Sequence, residues 1–395
     1  MLLPEQEVLN SYVSSVFHVD DITLGAPSGE FIVRYRGQLI IESVEAFDKL
    51  SDLLRPHELM PLFRKSEKGG HVIIITGKLP DPKPSNILIN IGLFLLTVVS
   101  VVWTGMGYTD PANLAGVNSN NQRLWLSILH GGIPFAASLL AILLAHEFGH
   151  YLMTRRHKTA ATLPYFIPFP TLLGTMGAVI VWKELPRNKR ILFDVGIAGP
   201  LAGLAVAIPV VIIGLLGSKT GPILPSPGGF IEGNSILYLL AKYAIFGRLL
   251  PAPASYGTVA PLLYWIKFVF TGLPVPINGT DVFISPVAMA GWAGLLVTSL
   301  NLIPVGQLDG GHVMSVLFGK KLKYAMPVIL VLMAGLGFFW NGWWLWVALL
   351  LVFGRQSADP LDQITELDEG RRFLAYCTIF VFILVFIPIP LIMLG

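Results

Sequence analysis

The pattern of hydrophobic and polar positions changes character near residue 85. Before it, apolar positions alternate or recur with polar ones. In EFIVRYRGQL, Phe31, Val33 and Tyr35 fall on one face and Arg34 and Arg36 on the other, which predicts a half-buried strand. VEAFDKLSDLL has helical spacing, and Pro56 is expected to end or kink that helix. HVIIITG predicts a second strand. Residues 1–85 are thus expected to form a small α+β soluble domain, closed by the proline-containing linker KLPDPKPS.

After residue 85 the apolar runs are long, at about 86–107, 131–154, 194–217, 286–318, 324–339, 342–354 and 371–394. About 20 residues cross the hydrocarbon core of a bilayer. The expected fold is a polytopic α-helical membrane protein of about seven transmembrane helices over 86–395. The fifth and sixth runs are short, and the fourth is broken by IPVGQLDGG. Two further apolar pieces, near 236–250 and 259–273, leave open either a re-entrant hairpin or an extra pair of spans.

Composition agrees: 54% of residues are hydrophobic and 13% charged, against about 25% charged in soluble domains. The net charge of +3 is small, and no basic aromatic patch suggests nucleic acid. Cys377 is alone, so no intrachain disulfide is expected. MLLPEQEVLN lacks the basic and apolar regions of a cleaved signal peptide. The basic loops TRRHK, KELPRNKR, GKKLK and GRQ…EGRR fall on one side if seven spans alternate. The positive-inside rule makes that side cytoplasmic, with the N-terminus inside. The expected location is a bacterial cytoplasmic membrane.

The candidate chemistry lies in LLAHEFGHYLM, where three ionisable residues interrupt an apolar run. His146 and His150 are four apart and share one helix face. Glu147 is turned about 100° from the first. This is the HExxH arrangement, in which Zn²⁺ lowers the pKa of a water to about 7 and the Glu takes its proton. An ionisable residue in a membrane helix costs roughly 2.5–3.5 kcal/mol, so three together require a common partner. A catalytic zinc usually has a third protein ligand. The candidate is Asp309 in NLIPVGQLDGGH, where Pro304, Gly306, Gly310 and Gly311 break the helix. Asn301 could bond substrate backbone or orient a ligand. His312 is an alternative ligand, or a side chain packed at the helix start.

These motifs, in this order, resemble the site-2 protease family of intramembrane zinc metalloproteases, in its forms without a PDZ insertion, bacterial and plastid. FDVGIAGPLAGL (193–204) resembles the start of that family's third core helix, and GTMGAVI (174–180) its membrane-associated β element. The resemblance covers about 131–318. It implies a three-helix metalloprotease core, one Zn²⁺ per chain on His146, His150 and Asp309, and Glu147 as catalytic base. Its expected partners are the lipid bilayer and single-span membrane protein substrates. The rival reading, a non-enzymatic transporter or metal-binding membrane protein, would call for two related halves, and none is visible.

In LPYFIPFPTLLGTMGAVIVWKEL, prolines suit edges and turns and AVIVW favours extended chain. A β-hairpin beside the metal is expected, with 174–180, including Gly174, Thr175 and Gly177, pairing with extended substrate. Gly196, Gly199 and Gly203 are expected to allow close helix packing. Asp194 is expected to mark the cytoplasmic end of a span. WNGWWLW (340–346) reads as an interfacial aromatic belt and turn. His18, His57, His71, His130 and His157 are expected to be solvated, in soluble or loop regions.

Overall fold

The computed structural model describes residues 4–25, 31–66, 69–78, 85–353 and 359–394. Most of the linker expected at 78–85 lies outside the described residues, as does the GRQ portion of the last basic loop.

The N-terminal unit runs α1 (Gln6–Ser14), β1 (Phe17–Leu24), β2 (Val33–Leu39), α2 (Ser43–Leu54), β3 (Leu59–Lys65) and β4 (His71–Gly77). Its antiparallel sheet has the order β1-β2-β4-β3. Two of these strands were not visible in the pattern. β1 carries Asp20 and Asp21 and a register shift between Val19 and Asp21, which breaks its alternation. β3 contains Pro61, tolerated because β3 is the last strand in the sheet order. Val33, Tyr35, Phe47, Leu50, Phe63 and Ile73 form the core of this unit.

The chain continues through α3 (Ile87–Met106) and α4 (Asn120–Ser127), which runs through a π turn at Ile128–Gly132 into α5 (Ile133–Arg156). Next come β5 (Tyr165–Pro168), β6 (Thr175–Val179) and α6 (Lys189–Leu216). Three helices are long and apolar enough to cross a membrane among the described residues: Ile87–Met106, Asn120–Arg156 and Lys189–Leu216. The other expected spans are shorter helices: α9 (Pro286–Asn301) and α10 (Asp309–Phe318) on either side of the expected break, then α11 (Leu322–Gly337), α12 (Gly342–Phe353) and α13 (Glu369–Val385).

Between α6 and α9 lie β7 (Lys219–Pro222), β8 (Phe230–Glu232), α7 (Ile236–Phe246), α8 (Pro261–Thr271) and β9 (Thr280–Phe283). The two helices have 11 residues each, so each rises only about 16 Å, half of a hydrocarbon core. Left-handed Gly247 and Gly272 terminate them. Neither is an extra span. The last run also departs from expectation. α13 stops before Pro388 and Pro390, and β10 (Leu391–Met393) pairs with β8.

This cap hides a polar cluster that the apolar pieces near 236–250 and 259–273 did not announce. Lys242 is fully buried, with its Nζ 2.8 Å from Glu232 Oε1 and 3.6 Å from Asp281 Oδ1. Tyr238 donates its hydroxyl to the same Glu232 oxygen at 3.1 Å and places its ring under the ammonium. Trp292 on α9 donates to the Gly233 carbonyl at 2.8 Å, tying this cluster to the bundle. Removing one partner of a buried ion pair costs about 3–5 kcal/mol, because the other charge is left uncompensated. Lys242→Met should therefore lower the thermal unfolding midpoint of the detergent-solubilised chain markedly. Exposed Lys267→Met should leave it unchanged.

Candidate metal centre

α5, α6 and α9 pack together, with α10 folded back against the start of α6. His146 and His150 leave one face of α5, and Asp309 opens α10 after the turn at 302–308. His146 Nε2 lies 3.3 Å from Asp309 Oδ2, and His150 Nε2 lies 3.3 Å from Asp309 Oδ1. The two Nε2 atoms are 3.2 Å apart. Around a tetrahedral Zn²⁺ with bonds of about 2.0–2.1 Å, ligand atoms stand roughly 3.3 Å apart, so this donor set fits the ion. His150 Nδ1 donates to the Val195 carbonyl at 2.7 Å, which leaves its Nε2 lone pair facing the other two donors. His146 Nδ1 is buried without a hydrogen-bond partner among the described residues.

Glu147 is buried and lines the same cavity, of about 570 Å³, with the three donors. Asn301 also lines it, with its Nδ2 3.3 Å from His146 Nε2. His312 is a wall residue and not one of the three converging groups. Thr154, Trp182 and Gln307 complete the polar part of the lining, and no motif had singled them out. Thr154 could have been found, being one turn beyond His150 on the same helix face.

The glycines of α6 do more than bring helices together. A Cβ on Gly199 would stand 2.0 Å from His150 Nε2, one on Gly203 3.2 Å from His146 Nδ1, and one on Gly196 3.1 Å from the His312 Cβ. Their spacing clears room for three histidines. Close helix approach is served from the other side by Gly149, where an added Cβ would meet the Ala198 carbonyl at 2.5 Å.

β5 and β6 form an antiparallel hairpin, pairing Tyr165 with Val179, Phe166 with Ala178 and Pro168 with Thr175. α3 and the turn after it back it: Asn90 donates to the carbonyls of Leu163 and Pro164, Thr104 to that of Thr171, and Tyr108, just past the helix, to that of Leu172. Residues 178–182 reach the cavity wall. Gly174, Thr175 and Gly177 are not among the lining residues. Gly174 packs on α3, where a Cβ would meet Val101 Cα at 2.6 Å. The Thr175 hydroxyl donates to the Ile167 carbonyl and accepts from the Gly177 N–H. Gly177 has open space at its Cβ position.

Of the five histidines expected to be solvated in soluble or loop regions, His157 is not well exposed, and His130 is exposed but does not lie in a loop. His157 is only 21% exposed and lies 2.9 Å from Asp194 Oδ2. His130 sits in the π turn inside the long helix, not in a loop.

A bundle that gathers an HExxH helix and a distant aspartate onto one point defines a candidate metal centre. The sequence model of Peptidase family M50 matches residues 134–340, and the chain belongs to that family. This bears out the resemblance to site-2 proteases. Similar proteins include Probable zinc metalloprotease EGY1, chloroplastic, of Oryza sativa subsp. japonica, 30% identical over 80% of this chain and 53% of its own length. The EGY1 protein of Arabidopsis thaliana is 27% identical over 80% of this chain and 56% of its own. Probable zinc metalloprotease EGY2, chloroplastic, of Oryza sativa subsp. indica is 28% identical over 67% and 44%. The chain spans about half the length of these relatives.

Gly199→Ala should displace the His150 ring. Metal analysis of the purified variant should show most of the bound zinc lost, while Gly92→Ala, with open space at its Cβ, should hold zinc as the unaltered chain does.

Proposed function

We propose that this chain is an intramembrane zinc endopeptidase that hydrolyses peptide bonds in transmembrane segments of single-span membrane proteins. One Zn²⁺ per chain would be held by His146, His150 and Asp309. The observation that carries this reading is the convergence of those three donors, with Glu147 on the same cavity wall. The ion, when bound, supplies Lewis-acid polarisation of water and of the scissile carbonyl. Glu147 is the base that takes the proton of the attacking water and returns it to the leaving amine. Asn301 offers an amide to the substrate backbone from the same wall.

A helical substrate must be unwound before hydrolysis, and its freed N–H and C=O groups then need partners. The free edge of β6 can supply them. Val181 accepts from the Thr162 N–H and Lys183 donates to Ala160, so 181 and 183 face the hairpin partner. By alternation Ala178 and Ile180 turn their backbone groups outward, toward the cavity they line. Strand addition along 174–180 is the proposed mode of holding, with Gly177 leaving room for the incoming backbone and Gly174 and Thr175 shaping the turn.

The loop charges support about seven crossings of a bacterial cytoplasmic membrane, a cytoplasmic N-terminal domain over 1–85, and cleavage near the cytoplasmic face. The curated relatives are described as chloroplastic.

Glu147→Gln should keep the zinc and lower cleavage by about 10²–10⁴-fold, because the amide cannot accept the proton. Metal content and turnover of a fixed substrate, measured on the same preparation, check both halves; wild-type turnover would remove Glu147 as base. In that trapped variant, cysteines at 178 and 180 should crosslink to residues flanking the scissile bond. Persistent absence of those crosslinks rules out strand addition.

A further inference from the structure

Metal ligand His150 is aimed by a backbone carbonyl, that of Val195, and the residue beside it is gripped from two directions. Arg371 on α13 forks onto Asp194: its Nε donates to Oδ1 at 2.8 Å and its Nη2 to Oδ2 at 2.7 Å. His157, near the end of the helix that carries His150, lies 2.9 Å from the same Oδ2. Arg371 is itself held by Asp368, the N-cap of α13, whose carboxylate accepts from the Arg371 backbone N–H and from Nη1. Asp194 is 14% exposed at its side chain. Bidentate, partly buried arginine–carboxylate pairs are the geometrically specific kind.

The clamp stands on a connector that reaches the N-terminal unit. Phe63 on β3 donates to the Leu361 carbonyl and accepts from the Gln363 N–H, while Asp362 donates its N–H to the Arg187 carbonyl just ahead of α6. Asp362 is buried; it accepts from the Ser43 hydroxyl and from the Thr365 hydroxyl and N–H. Ile364 lies in the N-terminal core, and Leu367 packs with Phe193, Ile197 and Ala375. The Lys65 ammonium donates to Glu366 and holds that carboxyl below its ordinary range. A covered β3 edge, a connector and the first turns of α6 thus form one continuous contact path.

Resting on the metalloprotease reading above, we infer that Arg371 and Asp194 are positioning residues that fix the Val195 carbonyl, and with it the orientation of His150, and that the connector 359–368 links this clamp to the N-terminal unit. A helix can roll about its axis without losing its internal bonds. Asp194, held from α5 and α13 together, stops α6 from rolling. A small roll would carry the adjacent carbonyl out of the 2.7 Å bond to His150 Nδ1 and leave the ring free to turn.

The test uses the full chain in detergent, loaded with zinc and challenged with an excess of a chromogenic chelator. Loss of a partner that orients a ligating histidine costs 10–100-fold in metal affinity or activity. Arg371→Gln and Asp194→Asn should each release zinc about tenfold faster than the unaltered chain and lower kcat with KM within twofold. Arg371→Lys, a point charge without the fork, should recover part of the retention. Arg55→Gln, which removes only an exposed ion pair with Asp52 in the N-terminal unit, should leave zinc release unchanged. A purely structural tie would lower the unfolding midpoint of Arg371→Gln and leave zinc release and kcat as in the unaltered chain; that result overturns the clamp. If the unaltered chain holds no zinc, the metalloprotease reading fails instead.

Discussion

The His146, His150 and Asp309 side chains face one another at 3.2–3.3 Å inside an apolar bundle, and each alone would be costly there. An isolated charge in such surroundings is paired, coordinated or neutralised. Their mutual approach is the constraint around which the other elements are arranged. It requires α5 to turn two residues one helical turn apart toward the same point. It also requires the chain to break between α9 and α10 so that a carboxylate can come in from the side. The three donors work only as a set, which is why the small residues of α6 matter. Gly196, Gly199 and Gly203 sit where side chains would collide with the histidines or press on their rings.

Membrane-embedded helices gain little from hydrophobic association with one another, since lipid is as apolar as leucine. Close approach and hydrogen bonds must supply specificity, and both are visible. Gly149 lets α5 sit against the α6 backbone. Asn90 and Thr104 on α3, and Tyr108 in the turn just after it, hold the β5–β6 hairpin by its own carbonyls. One edge of the hairpin is thereby fixed, and its far strand lies along the cavity. The cap beyond α6 uses a different device, a buried ammonium between two carboxylates, to anchor short helices that could not hold themselves in place by length.

On the opposite side of the bundle, the N-terminal unit is joined to the membrane part by more than its covalent linker. The connector before α13 covers the β3 edge, which would otherwise present unpaired backbone groups. It also donates an apolar side chain to the N-terminal core. Its Asp362 meets both α2 and the approach to α6. The unit and the first turns of α6 therefore share a fixed boundary, with the Arg371–Asp194 pair directly behind it.

The local part of this arrangement was legible in the sequence. HExxH spacing alone places two imidazoles on one helix face, because the helical repeat does so regardless of context. The glycines and proline around Asp309 announce a break, and long apolar runs with basic flanks announce spans. β2, α2 and β4 follow from their periodicity, as does the extended character of 174–180. What the sequence could not carry is any feature whose partners are distant along the chain. Arg371 and Asp194 are 177 residues apart, and Ser43 and Asp362 are 319 apart. Lys242 is the one charged residue of α7, and Glu232 and Asp281 reach it only in the folded chain. The strand β10 read as part of a span, and the short cap helices left a re-entrant hairpin and an extra pair of spans equally open, since hydropathy registers apolar content and not where a proline or a left-handed glycine stops the helix. Periodicity reports which face a residue occupies; only the packing of one element on another decides what that face meets.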